Sequence, residues 1–186
     1  SPQPSPSSAP TSAATTTASA SAAPSEPGSP TSTSPSATPT STCSAAAPSS
    51  LKVSKGTLPK GRSFGFVRHF DATAIYVDPA QFFGDEAAVR AARQDGEIGP
   101  HEELPNPFYI RNRSKAVVRL PVSAKLRVRV IDNQEVAEHS ITRAQFASFY
   151  CGEPRPDWLY SNPEDLPANL TVVNGEVSVI EEQYVP

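Results

Sequence analysis

Positive charge recurs on the predicted strands in the second half of the chain, where it could bind a ligand. The residues are Tyr109, Arg111, Arg119, Arg127 and Arg129. Because successive side chains of a strand point to opposite faces, several of these arginines can share an outer face whose reverse side is apolar. The pattern predicts a binding surface for a polyanion or an acidic partner, with Tyr109 adding an aromatic ring. A solvated face neutralised by nearby glutamates remains the alternative.

Catalytic and metal-binding residues do not form a recognisable pattern. Acidic residues surround His101 at positions 95, 97, 102 and 103, but their spacing differs from that of a calcium-binding loop, so we expect a solvated acidic loop. His69, His101 and His139 fall on a strand, a loop and a turn, whereas zinc needs roughly three or four convergent ligands. No H-E-x-x-H motif is present. The sequence thus predicts no catalytic residue, no metal and no cofactor.

Residues 1–50 consist almost entirely of Ser, Ala, Thr and Pro, with Glu26 as their single charge. Such a segment has no large side chains to bury and cannot offset the entropy of ordering its backbone. The composition predicts a disordered stalk at residues 1–50 and a single globular domain at residues 51–186. The whole chain of 186 residues has a formal net charge of −3, which argues against a dedicated nucleic-acid binder.

Because the chain contains no methionine, we expect that a segment before Ser1 has been removed, either by processing or when the sequence was chosen for expression. A Ser/Thr/Pro/Ala stalk is typical of exported proteins after a cleaved signal peptide, and a removed lipidated cysteine fits equally well. We therefore expect an extracytoplasmic protein, secreted or anchored at the outer face of the cytoplasmic membrane or cell wall. A removed lipid anchor would be its only contact with the membrane. The alternative is an intracellular protein with a disordered tail.

The chain has two cysteines, Cys43 and Cys151, and an oxidising compartment favours one intramolecular disulfide between them. Cys43 lies near the end of the stalk, where a flexible backbone can reach the loop that holds Cys151. The bond would pin the end of the stalk beside the second predicted helix. In the alternative, Cys151 is a buried apolar residue and Cys43 is a free or intermolecular thiol.

The elements that position these residues begin with a hairpin that runs into a helix. Alternating apolar residues predict strands at residues 64–70 and 74–77, and Asp78-Pro79 is expected to end the second strand. Asp85 is expected to be the N-cap of a short helix that ends at Gly96, because glycine favours the left-handed conformation there.

Three more strands are predicted at residues 108–112, 116–122 and 126–131. A second helix should follow, because Thr142 and Gln145 have the spacing of a capping box. The chain should end in a hairpin that turns at Asn174-Gly175, the preferred pair for a type I′ turn. That turn would pair Val172 with Val177 and Leu170 with Val179, and the broken alternation beyond predicts a bulge near Ile180.

These elements predict an α+β domain. We expect a mostly antiparallel, strongly bent sheet or a partly open small barrel, OB-like in general shape, with two short helices and the disordered stalk in front. A flat antiparallel sheet with both helices on one face is the alternative.

Several short motifs occur in an order that resembles a family of exported Gram-positive proteins, mainly actinobacterial lipoprotein-type domains of unassigned function. The motifs are Val77-Asp78-Pro79, Gly84-Asp85-Glu86-Ala87, Asp95-Gly96, Tyr109-Ile110-Arg111-Asn112, Val173-Asn174-Gly175-Glu176-Val177 and Ile180-Glu181-Glu182-Gln183-Tyr184-Val185-Pro186. The resemblance covers most of the predicted domain and none of the stalk. It implies a location in the cell envelope and brings no catalytic residues.

Two functions are consistent with these observations. The first is a non-catalytic, monomeric binding or scaffolding module on a flexible stalk, whose partner is an anionic envelope polymer or another envelope protein. The second is an envelope hydrolase with an unconventional active site. A filled interior with a basic face would favour binding, whereas a deep pocket lined by carboxylates or histidine would favour catalysis.

Overall fold

The computed structural model of the protein describes residues 46–71 and 73–186. The strands in this part of the chain are β1 (Val53–Ser54), β2 (Gly61–Phe70), β3 (Ala74–Gly84), β4 (Phe108–Arg111), β5 (Val117–Ile131), β6 (Glu138–Ile141), β7 (Leu166–Val173) and β8 (Glu176–Glu182). Helix α1 spans Asp85–Asp95, helix α2 spans Arg143–Ser148, and a 3₁₀ turn spans Pro163–Asp165. The predicted stalk lies, up to residue 45, outside the described residues. None of the described helices has the length and apolar character needed to span a membrane.

The strands form one mixed sheet that bends round on itself. They pair in the order β2–β3–β5–β8–β7, and β7 pairs again with β2. Most pairs are antiparallel, but β5 and β8 run parallel. The ring is partial, because β3 meets β5 only over residues 74–77 and the β5–β8 register breaks between Val122 and Arg127. The predicted fold class, an α+β domain with a strongly bent, mostly antiparallel sheet and two short helices, is confirmed.

Apolar side chains fill the interior of this ring. Val67 on β2, Val130 on β5 and Leu170 on β7 are fully buried. Helix α2 adds Phe146, whose ring lies 5.0 Å from that of Phe70 between centroids. Burying such side chains stabilises the fold by about 25 cal/mol per Å² of apolar surface. The interior is therefore a packed core, and ligands must be sought on the outside.

Strand β3 is longer than predicted. The prediction that Asp78-Pro79 ends it was wrong, since β3 continues to Gly84 and pairs with β4. Residues 78–80 lie between the segments of β3 that pair with β5 and with β4, so there β3 pairs only with β2. A proline is tolerated in a strand where one side has no ladder to complete. Gly65 lies opposite Pro79, and a Cβ at Gly65 would come within 2.7 Å of the Asp78 carbonyl oxygen.

Both helices have identifiable ends. Gly84 is the N-cap of α1 and Asp85 is its first residue, so the prediction of Asp85 as the cap was wrong by one position. Gly96 ends α1 in the left-handed conformation, as predicted, with φ of 76°. The capping box of Thr142 and Gln145 is confirmed at the start of α2.

The second half of the sheet differs from prediction in two details. The strands predicted at residues 116–122 and 126–131 are one continuous strand, β5. The last hairpin turns at Asn174-Gly175, both with positive φ, as the predicted type I′ turn requires. Val172 does pair with Val177, but the register shifts between Thr171 and Val172, so Leu170 faces Ile180 rather than Val179. The irregularity thus lies nearer the turn than predicted, and it keeps both Leu170 and Ile180 fully buried.

The residues before the first long strand pack on the outside of the sheet. We call residues 46–60 the lead-in segment. Its Ala47 and Leu51 pack against Ala74, Tyr76 and Val117, and its strand β1 pairs in parallel with β5. The outer face of β3 and β5 is thus partly covered by the chain itself.

Candidate functional site

Two of the predicted binding residues surround one carboxylate at the end of helix α1. Tyr109 Oη donates to Asp95 Oδ2 at 3.0 Å, and Arg111 Nε donates to the same oxygen at 2.5 Å. Arg113 Nη2 donates to Asp95 Oδ1 at 2.5 Å. These hydrogen bonds, the one from Arg111 first among them, lower the pKa of Asp95 to about 2. Tyr109 and Arg111 therefore hold α1 against β4.

Two more predicted arginines contact carboxylates elsewhere on the sheet. Arg119 Nε donates to Tyr76 Oη at 3.1 Å, and its Nη2 lies 3.7 Å from Asp71 Oδ2. Arg129 Nη1 lies 3.0 Å from Glu181 Oε1 and 3.4 Å from Glu138 Oε2. Together with Arg111, they form three separate ion-pair groups that have no acid in common.

Arg127 is different, because no described carboxylate lies within ion-pair distance of it. It is exposed on β5, where Val128 and Val130 face the core as the alternation predicted. Lys125 and Arg127 line one depression of about 370 Å³ at the β7–β8 turn, together with Ser123 and Glu176. Arg143 Nη1 donates to the Ser123 carbonyl oxygen at 3.4 Å, which brings a third cation to the same place. We call Lys125, Arg127 and Arg143 the basic patch.

The sequence prediction omitted Lys125 and Arg143. Lys125 falls in the gap between the strands predicted at residues 116–122 and 126–131. Because these strands are one continuous strand, β5, the position of Lys125 on it was not predicted. Arg143 is the first residue of α2, where a cation is unfavourable next to the positive end of the helix dipole. That unfavourable position is the local signal that could have marked it.

The sequence also contains a G-x-S-x-G pattern, Gly61-Arg62-Ser63-Phe64-Gly65, which the prediction from sequence missed. In hydrolases this pattern marks a nucleophile when the serine lies on a sharp turn from a strand into a helix. Here Ser63 lies within strand β2 and pairs with Leu170 on β7. Its Oγ is buried, without a hydrogen-bond partner in the described part of the chain. The pattern therefore lacks the exposed turn that activates such a serine.

Among the described residues, no three or more His, Cys, Asp or Glu side chains lie close enough together to hold a metal ion. His69 is only 4% exposed, and its ring packs against those of Tyr76 and Tyr150. His139 is exposed on β6, and its ring lies 5.4 Å from that of Trp158 between centroids. In the predicted acidic loop, Glu102 Oε2 accepts from the backbone N–H of Gly99 at 2.7 Å.

Comparisons with family models, with curated proteins and with solved structures found no match for this chain. The resemblance to exported lipoprotein-type domains therefore stays a prediction. The disulfide between Cys43 and Cys151 also stays a prediction, because Cys43 lies outside the described residues.

Proposed function

We propose that this chain is a non-catalytic binding or scaffolding module of the cell envelope, secreted or anchored outside the cytoplasmic membrane. Its partner is an anionic envelope polymer or an acidic envelope protein, and the basic patch is its binding surface. This revises the predicted site, because Arg111, Arg119 and Arg129 already contact carboxylates of the same chain. The location rests on the stalk composition and on the resemblance to exported domains.

The observation that carries this proposal is the uneven pairing of the arginines on β5. Arg119 and Arg129 have carboxylates within 3.7 Å and 3.0 Å, whereas Arg127 between them has none among the described residues. Glu176 is the single acid lining the depression beside Lys125 and Arg127. Uncompensated charge produces a field that attracts an opposite charge, whereas a neutralised pair produces little beyond a few ångströms.

The test compares two arginines of the same strand. Arg127→Gln and Arg119→Gln change the net charge equally, so an effect of total charge alone would be the same for both. Polyphosphate and poly-L-glutamate are the probes, with binding measured by calorimetry at low and at physiological ionic strength. We expect Arg127→Gln to weaken binding by about two- to fivefold, as for one exposed charge pair, and Arg119→Gln to change it less.

Raising the salt should reduce the difference between the two variants, because exposed charges are screened over about 8 Å at physiological ionic strength. Equal effects of the two substitutions, or no binding of either polymer by the wild type at low salt, would contradict the proposal. A preference for polyphosphate over poly-L-glutamate would indicate a phosphate-containing polymer rather than an acidic protein.

We rank the hydrolase lower for two reasons. Ser63 of the G-x-S-x-G pattern is buried within a strand, and His69 is enclosed between two tyrosine rings. Ser63 therefore cannot approach a substrate in this arrangement, and His69, although it lines a cavity, is only 4% exposed.

A further inference from the structure

A cavity of about 510 Å³ lies between the lead-in segment and the loop that follows α2. Its volume is within the range of about 300–1,000 Å³ that small-molecule sites occupy. The walls come from the lead-in segment, strand β2, the end of α2, the loop after it and the 3₁₀ turn. The basic patch shares no residue with this cavity.

Part of the cavity wall is apolar. Leu51 of the lead-in segment, Phe149 and Tyr150 line it. Phe149 packs edge-on against Trp158, with 6.2 Å between ring centroids. A ligand that enters would therefore contact an aliphatic and aromatic surface as well as charged groups.

The charges at the cavity are unevenly compensated, and the surplus is negative. Arg68 lies within reach of two acids, with Nη1 2.6 Å from Asp165 Oδ1 and Nη2 3.0 Å from Asp78 Oδ2. Its positive charge is therefore neutralised from within the fold. Arg155 donates to the Leu159 carbonyl oxygen at 2.6 Å, and its positive charge acts on the buried carboxyl of Glu182.

Glu153 and Glu164 line the same cavity, and both are exposed. Neither has a cationic side chain within ion-pair distance in the described part of the chain. Two carboxylates without an ion-pair partner in the described residues thus line the cavity beside an apolar wall. A cation with an apolar body complements both features, because its charge meets the carboxylates while its carbon chain covers the aromatic rings.

We propose that this cavity binds an organic cation, a primary ammonium on a short alkyl chain such as the side chain of a lysine in a peptide. Glu153 and Glu164 contact the ammonium, and Phe149, Tyr150 and Leu51 contact the methylenes. The site is of opposite charge to the basic patch, so the domain would hold two kinds of partner at separate places.

The test uses 1,5-diaminopentane as the probe and glutarate as a dianion of the same length. Trp158 is the single tryptophan of the chain and packs on a residue of the cavity wall, so its fluorescence reports binding locally. We expect a saturable change with the diamine and none with glutarate. Lengthening the alkyl chain from ethylamine to butylamine should tighten binding by up to about fourfold for each methylene buried.

Two double variants with equal charge changes separate a site from diffuse attraction. Glu153→Gln with Glu164→Gln removes the carboxylates of the cavity, whereas Glu103→Gln with Glu176→Gln removes two exposed acids elsewhere. The first pair should weaken diamine binding at least tenfold, and the second should change it less than twofold. Equal weakening by both pairs, a glutarate response like that of the diamine, or no response of the wild type to the diamine would each overturn the proposal.

Discussion

The buried carboxylate of Glu182 should stabilise the domain, and its replacement by glutamine tests this. It lies on β8 and is only 7% exposed. Its Oε2 accepts from the backbone N–H of Ile131 at 2.6 Å, and its Oε1 accepts from that of Ser161 at 3.0 Å. One side chain thus ties the last strand to β5 and to the loop before the 3₁₀ turn.

The expected loss of stability in Glu182→Gln arises because one carboxylate oxygen, an acceptor, is replaced by an NH₂ group, a donor. A glutamine amide has one oxygen, so in Glu182→Gln one of the two backbone N–H groups faces an NH₂ group instead. Leaving a buried donor unsatisfied costs about 1–3 kcal/mol, and hydrogen bonds to a charged group are worth about 1.5–3 kcal/mol. We expect Glu182→Gln to lower the free energy of unfolding by about 1–3 kcal/mol.

Glu181→Gln is the matched control, because Glu181 is the preceding residue and points outward. It pairs with Arg129 at 3.0 Å and with Arg62 at 3.6 Å, and its side chain is 23% exposed. A surface ion pair of this kind is worth about 0–1 kcal/mol. Urea unfolding followed by Trp158 fluorescence gives both values at pH 7. A loss in Glu182→Gln no larger than that in Glu181→Gln would refute the role assigned to the buried carboxylate.

The pH dependence of the stability lost in Glu182→Gln tests the direction of the pKa shift of Glu182. Burial, the largest influence, raises the pKa of Glu182 above its ordinary value of 4.5. A raised pKa means that the folded protein binds this proton more tightly than the unfolded chain does. The associated stability is fully present below pH 4.5 and is lost as the pH rises through the folded value. The stability deficit of Glu182→Gln should therefore be larger at pH 4 than at pH 7.

Three further predictions concern other parts of the domain. The arginine partners of Asp95 lower its pKa from 3.8 to about 2, so the stability that its carboxylate adds is present above pH 3.8 and is lost as the pH falls towards 2. NMR titration of the Asp95 carboxyl should show a midpoint near that lowered pKa, and Arg111→Gln should raise the midpoint. Gly65→Ala should lower the free energy of unfolding by about 1–3 kcal/mol through overpacking, since the new Cβ would lie 2.7 Å from the Asp78 carbonyl oxygen and from the Val77 side chain. Gly99→Ala should lower it less, because the nearest neighbour there is the flexible side chain of Glu102. Cys43 and Cys151 should form a disulfide, because Ala46 and Gly152, which follow them closely in sequence, line the same cavity, and three residues span up to about 10 Å. After alkylation without reductant, the intact mass should show no label, and two labels would contradict the bond.

Elements with strong local signals were predicted well from the sequence. The Asn174-Gly175 turn, the capping box at Thr142 and the helix end at Gly96 each depend on residues within a few positions of one another. Such signals act before any tertiary contact forms, so they can be recognised in a single sequence. The fold class follows from them, since hairpins and short amphipathic helices must share one core.

Features that depend on distant partners were not predicted. The parallel pairing of β5 with β8 joins residues about fifty positions apart and has no local mark. Pro79 looked like a strand end, because the sequence does not show that β3 has a single neighbour at that point. The same limit applies to the site: Arg119 lies 48 positions from Asp71 in sequence, and only the folded sheet brings them together.

Where this protein can bind a charged partner therefore depends on which charged side chains lack an ion-pair partner, and not on the number of charged residues. The net charge of −3 argued against a nucleic-acid binder, and strand alternation predicted that several arginines share an outer face. In the described residues the fold pairs Arg111, Arg119 and Arg129 with carboxylates. It leaves Lys125 and Arg127 at one depression, and Glu153 and Glu164 at another cavity, without an ion-pair partner among those residues. Long-range attraction is set by these local surpluses, since neutralised pairs cancel at a distance. Substitutions that alter a surplus should change binding while leaving the fold intact, and substitutions that break a pair should change stability first.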